Sequence, residues 1–262
     1  MWSYRHQNFT VHQFPALKDN YIYLIDVHNS ETLIAVDPAE AVSVSHYCNE
    51  MGVKLTHIIN THHHWDHTDG NKALKQKFDC LVIGAADDAH RIPELDIPVS
   101  EHAPPEIAGL NIKVLELPGH TSGHIAYLID DALFCGDVLF GGGCGRIFEG
   151  TPAQMWSSLN QLAQLVGSTK VYCAHEYTLP NLRFALTVDP DNKALIERIN
   201  HDSQARMDGQ PTIPSTIALE VATNPFLRPL NRTFCSHYAK HAGFALNATL
   251  VFTDIRKRKD NF

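Results

Sequence analysis

Thr61-His62-His63-His64-Trp65-Asp66-His67 packs four histidines and an aspartate into seven residues, directly after the apolar run Leu55-Thr56-His57-Ile58-Ile59-Asn60. Side chains alternate faces along a strand, so at the mouth of a strand His62, His64 and Asp66 converge on one side. His63 and Trp65 then point the other way, and His67, close to a helix start, swings back from the turn. The loop offers two pairs of ligands, His62 with His64 and Asp66 with His67, too many for one open catalytic zinc. Imidazole and carboxylate are the donors that zinc, iron or manganese take. A chance histidine run or an expression tag is the plainer explanation, but a tag sits at a terminus and carries no Asp at this spacing. The stretch is a metal site.

Such a site needs ligands from elsewhere, and three apolar strands deliver them. Val114-Leu115-Glu116-Leu117 leads into Pro118-Gly119-His120, Ala132-Leu133-Phe134-Cys135 into Gly136-Asp137, and Lys170-Val171-Tyr172-Cys173 into Ala174-His175. Gly or Pro lets the backbone turn at the first two. Singly, a His or Asp at a strand end is usually a cap or a solvated turn. Together with the first motif, His120, Asp137 and His175 bring the set to seven ligands. With one carboxylate shared, that completes two neighbouring sites.

The remainder of the chain reads as strands first and helices last. Apolar runs recur at Tyr21–Val27, Leu33–Val36, Leu55–Ile59, Leu81–Ile83, Ile112–Leu117, Ile125–Ile129, Ala132–Cys135 and Val171–Ala174, with helical patterns at Ala41–Met51, Asn71–Phe78 and Pro152–Leu165. Thr151-Pro152 is a good N-cap and first-turn pair for the last of these. Two sheets with helices outside fit this spacing. After His175 the pattern predicts helices over Asp191–Met207, Pro214–Val221 and Thr233–Ala242. The 262 residues allow one large domain, or one domain plus a small one, and no stretch is long enough to span a membrane. Six cysteines without a CxxC pair fit a reducing cytoplasm better than a disulfide framework. A net charge of −8 argues against a nucleic-acid partner.

The order HxHxDH, Gly-His, Gly-Asp and a late His resembles the metallo-β-lactamase superfamily. Within it, Thr61–His67, Gly143-Cys144-Gly145-Arg146, Ala174-His175-Glu176-Tyr177-Thr178 and the basic Arg256-Lys257-Arg258-Lys259 resemble glyoxalase II, the hydroxyacylglutathione hydrolases. The resemblance covers nearly the whole chain. It implies an α+β fold, an αβ/βα four-layer sandwich over residues 1–173, followed by a helical substrate-binding domain over residues 174–262. The implied activity is hydrolysis of S-(2-hydroxyacyl)glutathione, S-lactoylglutathione above all, to glutathione and a 2-hydroxy acid, a step of methylglyoxal detoxification. The implied cofactor is two divalent ions, zinc first with iron or manganese as alternatives, in a cytoplasmic monomer.

In that picture Asp137 bridges the metals. His62, His64 and His120 complete one site; Asp66, His67 and His175 complete the other, and Asp66 also orients the attacking hydroxide. A thioester suits this chemistry, because its thiolate leaving group has a conjugate acid of pKa roughly 8.5 and departs with little protonation. Asp37, ending the strand Leu33–Val36, is a candidate partner for a ligand imidazole; a turn or cap role is the alternative. The resemblance places substrate contacts at Arg146, Phe148, His175, Tyr177, Arg256 and Lys259. Two positions depart from the family pattern of a Lys and then a Tyr: Arg146 keeps the charge and adds a planar fork for carboxylates, whereas Phe148 loses a hydroxyl. A basic helix end is also favoured by the helix dipole alone. A persulfide dioxygenase with one iron on two His and one Asp, a nuclease or phosphodiesterase, and a non-enzymatic metal-binding protein are the rivals.

Overall fold

The computed structural model describes residues 1–243 and 245–262. The chain forms two compact units, Met1–Glu116 with Gly123–Gly136, and Leu117–Ser122 with Asp137–Phe262.

The first unit holds β1 (Trp2–Arg5), β2 (Phe9–Ala16), β3 (Asn20–Val27), β4 (Leu33–Val36), α1 (Val42–Met51), β5 (His57–Ile59), α2 (Trp65–Thr68), α3 (Asn71–Phe78), β6 (Leu81–Ala85), β7 (Ile97–Val99), β8 (Ile112–Glu116), β9 (Ile125–Ile129) and β10 (Ala132–Gly136). β1 to β7 form one sheet in sequence order. It is antiparallel up to β4 and parallel from β4 to β7. β3 is buried on both faces for most of its length, and alternation sorts its side chains. Ile22 and Leu24 join Val44, Tyr47, Leu74 and Phe78 of α1 and α3 in one core. On the other face Tyr23 meets Phe134 of β10 edge to face at 5.7 Å, and β8, β9 and β10 pair antiparallel. Burying each such Leu, Ile or Phe contributes about 1.5–3 kcal/mol.

The parallel register positions the chemistry. Val36 lies opposite Ile59, and Ile59 opposite Ile83. The loops leaving β4, β5 and β6 therefore emerge side by side, carrying Asp37, Thr61–His67 and Asp88. Loops at the carboxyl ends of parallel strands are where α/β sheets bind ligands.

The second unit holds β11 (Leu139–Phe140), β12 (Gly143–Cys144), α4 (Pro152–Ala163), β13 (Lys170–Cys173), α5 (Thr178–Val188), α6 (Lys193–Met207), β14 (Ser215–Thr216), α7 (Ile217–Thr223), α8 (Arg232–Ala242) and α9 (Ala248–Asp260). Thr151 and Gln154 form a full capping box on α4, with Pro152 in the first turn. Asn192, Thr216, Asn231 and Asn247 cap four of the later helices, each accepting from the backbone N–H three residues on. The helix expected over Pro214–Val221 starts later, because Ser215 and Thr216 are extended and pair with Val171 and Lys170. The Thr216 cap then fixes the start of α7 at Ile217.

A buried ion pair, Arg198 with Glu220 at 2.7 Å, anchors the turn between β11 and β12. The other oxygen of Glu220 accepts from Gly142 N at 2.9 Å, and Asn224 donates to Gly143 O at 2.8 Å. Gly142 has φ +63 and meets Leu182, so this turn requires glycine.

Candidate metal centre

The ligand loop of the first unit departs from strand alternation after His64. Trp65–Thr68 is one helical turn, so Asp66 and His67 project from a helix. His67 N bonds His64 O at 3.0 Å and Thr68 Oγ1 bonds it at 3.1 Å, which closes that turn. His63 turns away to Asp88, and Trp65 lies 61% exposed.

Asp37 fixes the histidines. Its Oδ1 accepts from Thr61 N at 2.8 Å, and its Oδ2 accepts from Thr61 Oγ1 at 2.7 Å and His67 Nδ1 at 3.0 Å. A carboxylate only accepts, so the His67 proton sits on Nδ1 and the lone pair on Nε2. Thr61 has spent its one hydroxyl proton on Asp37, so its contact with His62 Nδ1 at 3.1 Å is donated by the imidazole. His62 therefore also presents a bare Nε2, 3.0 Å from His64 Nδ1. Such oxygen partners behind an imidazole are what orient a metal ligand. Asp37 is thus a partner of ligand-type histidines and not a mere turn residue. Asn20 steadies Asp66 through its Oδ2 at 3.2 Å and its backbone O at 3.1 Å.

The second unit carries its own set. His120 Nδ1 donates to the Arg146 carbonyl at 2.8 Å, leaving Nε2 bare. That nitrogen stands 3.4 Å from Asp137 Oδ2, and His175 Nε2 stands 3.4 Å from Asp137 Oδ1. Both distances are long for N–H···O bonds, which run to about 3.2 Å. Two ligands each roughly 2.1 Å from a tetrahedral zinc lie about 3.4 Å from one another. A Cβ at Gly145 would strike the Asp137 carbonyl and come within 3.1 Å of His120 Nδ1, which gives the Gly-Cys-Gly-Arg stretch a physical reason. The His175 ring stacks on Tyr177 at 4.7 Å and meets the edge of Phe140.

Within the first unit His62 Nε2 lies 3.0 Å from His64 Nδ1, the His62 and His67 rings lie 4.1 Å apart, and His67 Nε2 lies 3.9 Å from Asp66 Oδ2; within the second, Asp137 stands between His120 and His175. The seven residues expected from the sequence are divided between these two sets, and their donor atoms are those that a borderline divalent metal takes.

The expected substrate residues divide by exposure. Arg146 is exposed, and Phe148, 62% exposed, lies 5.1 Å from the His120 ring. Lys259 reaches over Phe184 at 5.3 Å and Phe262 at 5.2 Å. Arg256 turns inward and is 6% exposed. Its Nη1 donates to Cys144 O at 3.1 Å, its Nη2 pairs with Asp260 at 2.8 Å, and its guanidinium covers Phe226 at 4.9 Å. Burial, with the charges of Arg256, Arg183 and Arg146, pulls the Lys259 ammonium below its usual range. Exposed Arg183 on α5 thus belongs to this basic cluster, and no spacing in the sequence marks it. Burial pushes the Cys144 thiol up to about 11, so it stays protonated at neutral pH and is no nucleophile.

Known proteins resemble this chain. Residues 19–175 match the metallo-beta-lactamase superfamily, and residues 176–262 match the hydroxyacylglutathione hydrolase C-terminus. A hydroxyacylglutathione hydrolase of Methylococcus capsulatus is 46% identical, with 95% of this chain and 97% of that protein covered. One from Rhodospirillum rubrum is 44% identical, covering 96% and 98%. Among solved structures, ETHE1 from Myxococcus xanthus superposes with a TM-score of 0.65 at 24% identity, over 95% of this chain and 97% of that one. That likeness establishes the metallo-β-lactamase fold, here with a helical C-terminal region. With relatives this similar along nearly its full length, the chain belongs to the hydroxyacylglutathione hydrolase family of the metallo-β-lactamase superfamily.

Proposed function

We propose that the protein hydrolyses S-(2-hydroxyacyl)glutathione thioesters, S-lactoylglutathione foremost, to glutathione and a 2-hydroxy acid in methylglyoxal detoxification. The observation that carries this reading is Asp137, which turns one carboxylate oxygen to His120 and the other to His175 at 3.4 Å each. His62, His64 and His120 would hold one zinc, Asp66, His67 and His175 a second, and Asp137 would bridge them. Such a pair supplies hydroxide at neutral pH and polarises the thioester carbonyl. Asp66, held by Asn20, accepts a hydrogen bond from the attacking water and sets its direction. The thiolate leaves without a dedicated acid. Residues 1–173 would carry most of the chemistry and residues 174–262 most of the substrate contacts, with the metal ligand His175 and the substrate contacts Arg146 and Phe148 as the exceptions. Arg146, Arg183 and Lys259 supply positive charge for the two glutathione carboxylates, with His175, Tyr177 and Phe148 beside the acyl thioester.

A mononuclear iron dioxygenase would leave Asp66, His67 and His175 without a ligand role. Six buried free thiols fit a reducing cytoplasm, and we assign the protein there as a monomer. No helix among the described residues is long and apolar enough to cross a membrane. Thioester hydrolysis measured on protein of known metal content tests the assignment. Turnover with close to two ions per chain and no oxygen uptake supports it; oxygen consumption with one iron overturns it.

Two further results are expected. His120→Ala depletes the site of His62 and His64 first, whereas Asp66→Ala depletes the site of His67 and His175; anomalous scattering from the two variants separates them. Identical depletion would overturn this division of ligands. The second concerns pH. Lys259 binds a carboxylate only while protonated, and its folded pKa lies below 10.5. KM for the glutathione thioester therefore rises on the alkaline side at a pH below 10.5, and Lys259→Met flattens that rise. The stability effect has the opposite sign: the cost of the buried charge is present below the folded pKa and is relieved as pH climbs through it. A KM profile identical in both proteins removes Lys259 from the substrate site.

A further inference from the structure

The second histidine of the ligand loop, His63, has no place in the metal chemistry, yet both nitrogens of its ring are held. His63 Nδ1 lies 2.9 Å from Asp88 Oδ2, and Arg91 Nη1 lies 3.3 Å from His63 Nε2. A guanidinium only donates, so Nε2 accepts and the ring proton goes from Nδ1 to Asp88. Arg91 closes the triangle through its own bonds to Asp88 Oδ1. Asp88 is fully buried in the 3₁₀ turn after β6, the parallel neighbour of β5. It also abuts Gly123, where a Cβ would collide with its carboxylate. The next residue, His124, stacks its ring on His62 at 4.7 Å.

We infer that Asp88 and Arg91 are positioning residues that clamp both nitrogens of His63 and so hold His62 and His64 in ligand geometry before any metal arrives. With the ring of residue 63 held at both nitrogens, the backbone of the tripeptide 62–64 is restrained, which narrows the positions from which the outer imidazoles project. The rigid loop then donates to the ion without first being ordered, which raises affinity through preorganisation. The inference rests on the proposal that His62 and His64 are ligands.

Zn²⁺ competition against a chromophoric chelator, on metal-free protein, tests it. His63→Ala leaves the Arg91 bonds to Asp88 Oδ1 intact but removes the donor to the buried Oδ2. Its Zn²⁺ affinity should fall about 10–100-fold, the usual cost of losing an outer support of a metal site, while the metal-free protein stays folded and melts only modestly below the wild type, since one buried carboxylate oxygen has lost its donor. His63→Gln offers one donor and one acceptor and should recover most of the loss. Wild-type affinity in His63→Ala overturns the clamp. So does a loss that comes from unfolding of the metal-free protein at the assay temperature, or a loss that Gln does not rescue. Wild-type protein that takes up no Zn²⁺ overturns the ligand assignment beneath it.

Discussion

Asp137→Ala empties both metal sites and lowers thioester hydrolysis by about a thousandfold or more, roughly 4 kcal/mol of barrier. Two separate sites would lose only the ion nearest the substitution. Here one carboxylate faces imidazoles on both sides at equal distance, so its removal strips each site of an anionic ligand at once. Asp137→Asn keeps the shape but has a single acceptor oxygen and should retain at most one ion. Metal analysis beside steady-state kinetics checks both variants, with far-ultraviolet circular dichroism to show that they fold. Full activity in Asp137→Ala, or two ions retained, means that no bridging carboxylate exists.

Arg256→Ala should act through stability, and Lys259→Ala through substrate affinity. Arg256 gives up a charged hydrogen bond to a buried carbonyl, about 1.5–3 kcal/mol, and a cation–π contact of about 0.5–2 kcal/mol. Its pairing with half-exposed Asp260 adds little. A loss of about 2–4 kcal/mol should lower the melting temperature by roughly 5–15 °C. Activity falls as well, because the Cys144 carbonyl that Arg256 holds lies two residues before Arg146, whose own carbonyl fixes His120. Lys259→Ala should change melting far less than Arg256→Ala, since the relieved cost of its partly buried charge offsets its lost ring contacts, and raise KM for a glutathione thioester about tenfold, with kcat nearly constant, the pattern of lost uniform binding. A simple thioester without the tripeptide should not distinguish it from wild type. If Arg256→Ala melts normally and shifts only KM, Arg256 is a substrate contact and the inward reading fails.

The candidate ligands could be picked out because each follows an apolar strand, and strand ends are where a sheet exposes polar side chains. The strand runs Leu33–Val36 and Ile125–Ile129 and the helix Asn71–Phe78 fall where the sequence puts them. The first hairpin was not legible. In β2 the core face is Phe9, Val11 and Gln13, alternating with Thr10 and His12, and a buried glutamine hides the period. α5 and α9 were missed as defined helices although Asn247 is an ordinary cap, because Thr178–Val188 holds a Pro and the last helix is masked by charge. Arg256 and Lys259 sit three residues apart on one helix, hence on nearly the same face. Spacing alone could not say that Phe226 and Cys144 draw the first inward while the second stays half-exposed.

Asp37 is buried and is none of the seven expected ligands, yet it sets the proton position on His67 directly and on His62 through Thr61. These imidazoles belong to different proposed sites. Anyone retuning this enzyme for another metal cannot therefore treat the two sites as separate modules. Thr61→Val, which keeps the shape and removes the hydroxyl, would free one ligand to change tautomer, and Asp37→Asn would disturb both together. The designable unit is the whole relay, and its most constrained member is a carboxylate buried one layer behind the ions.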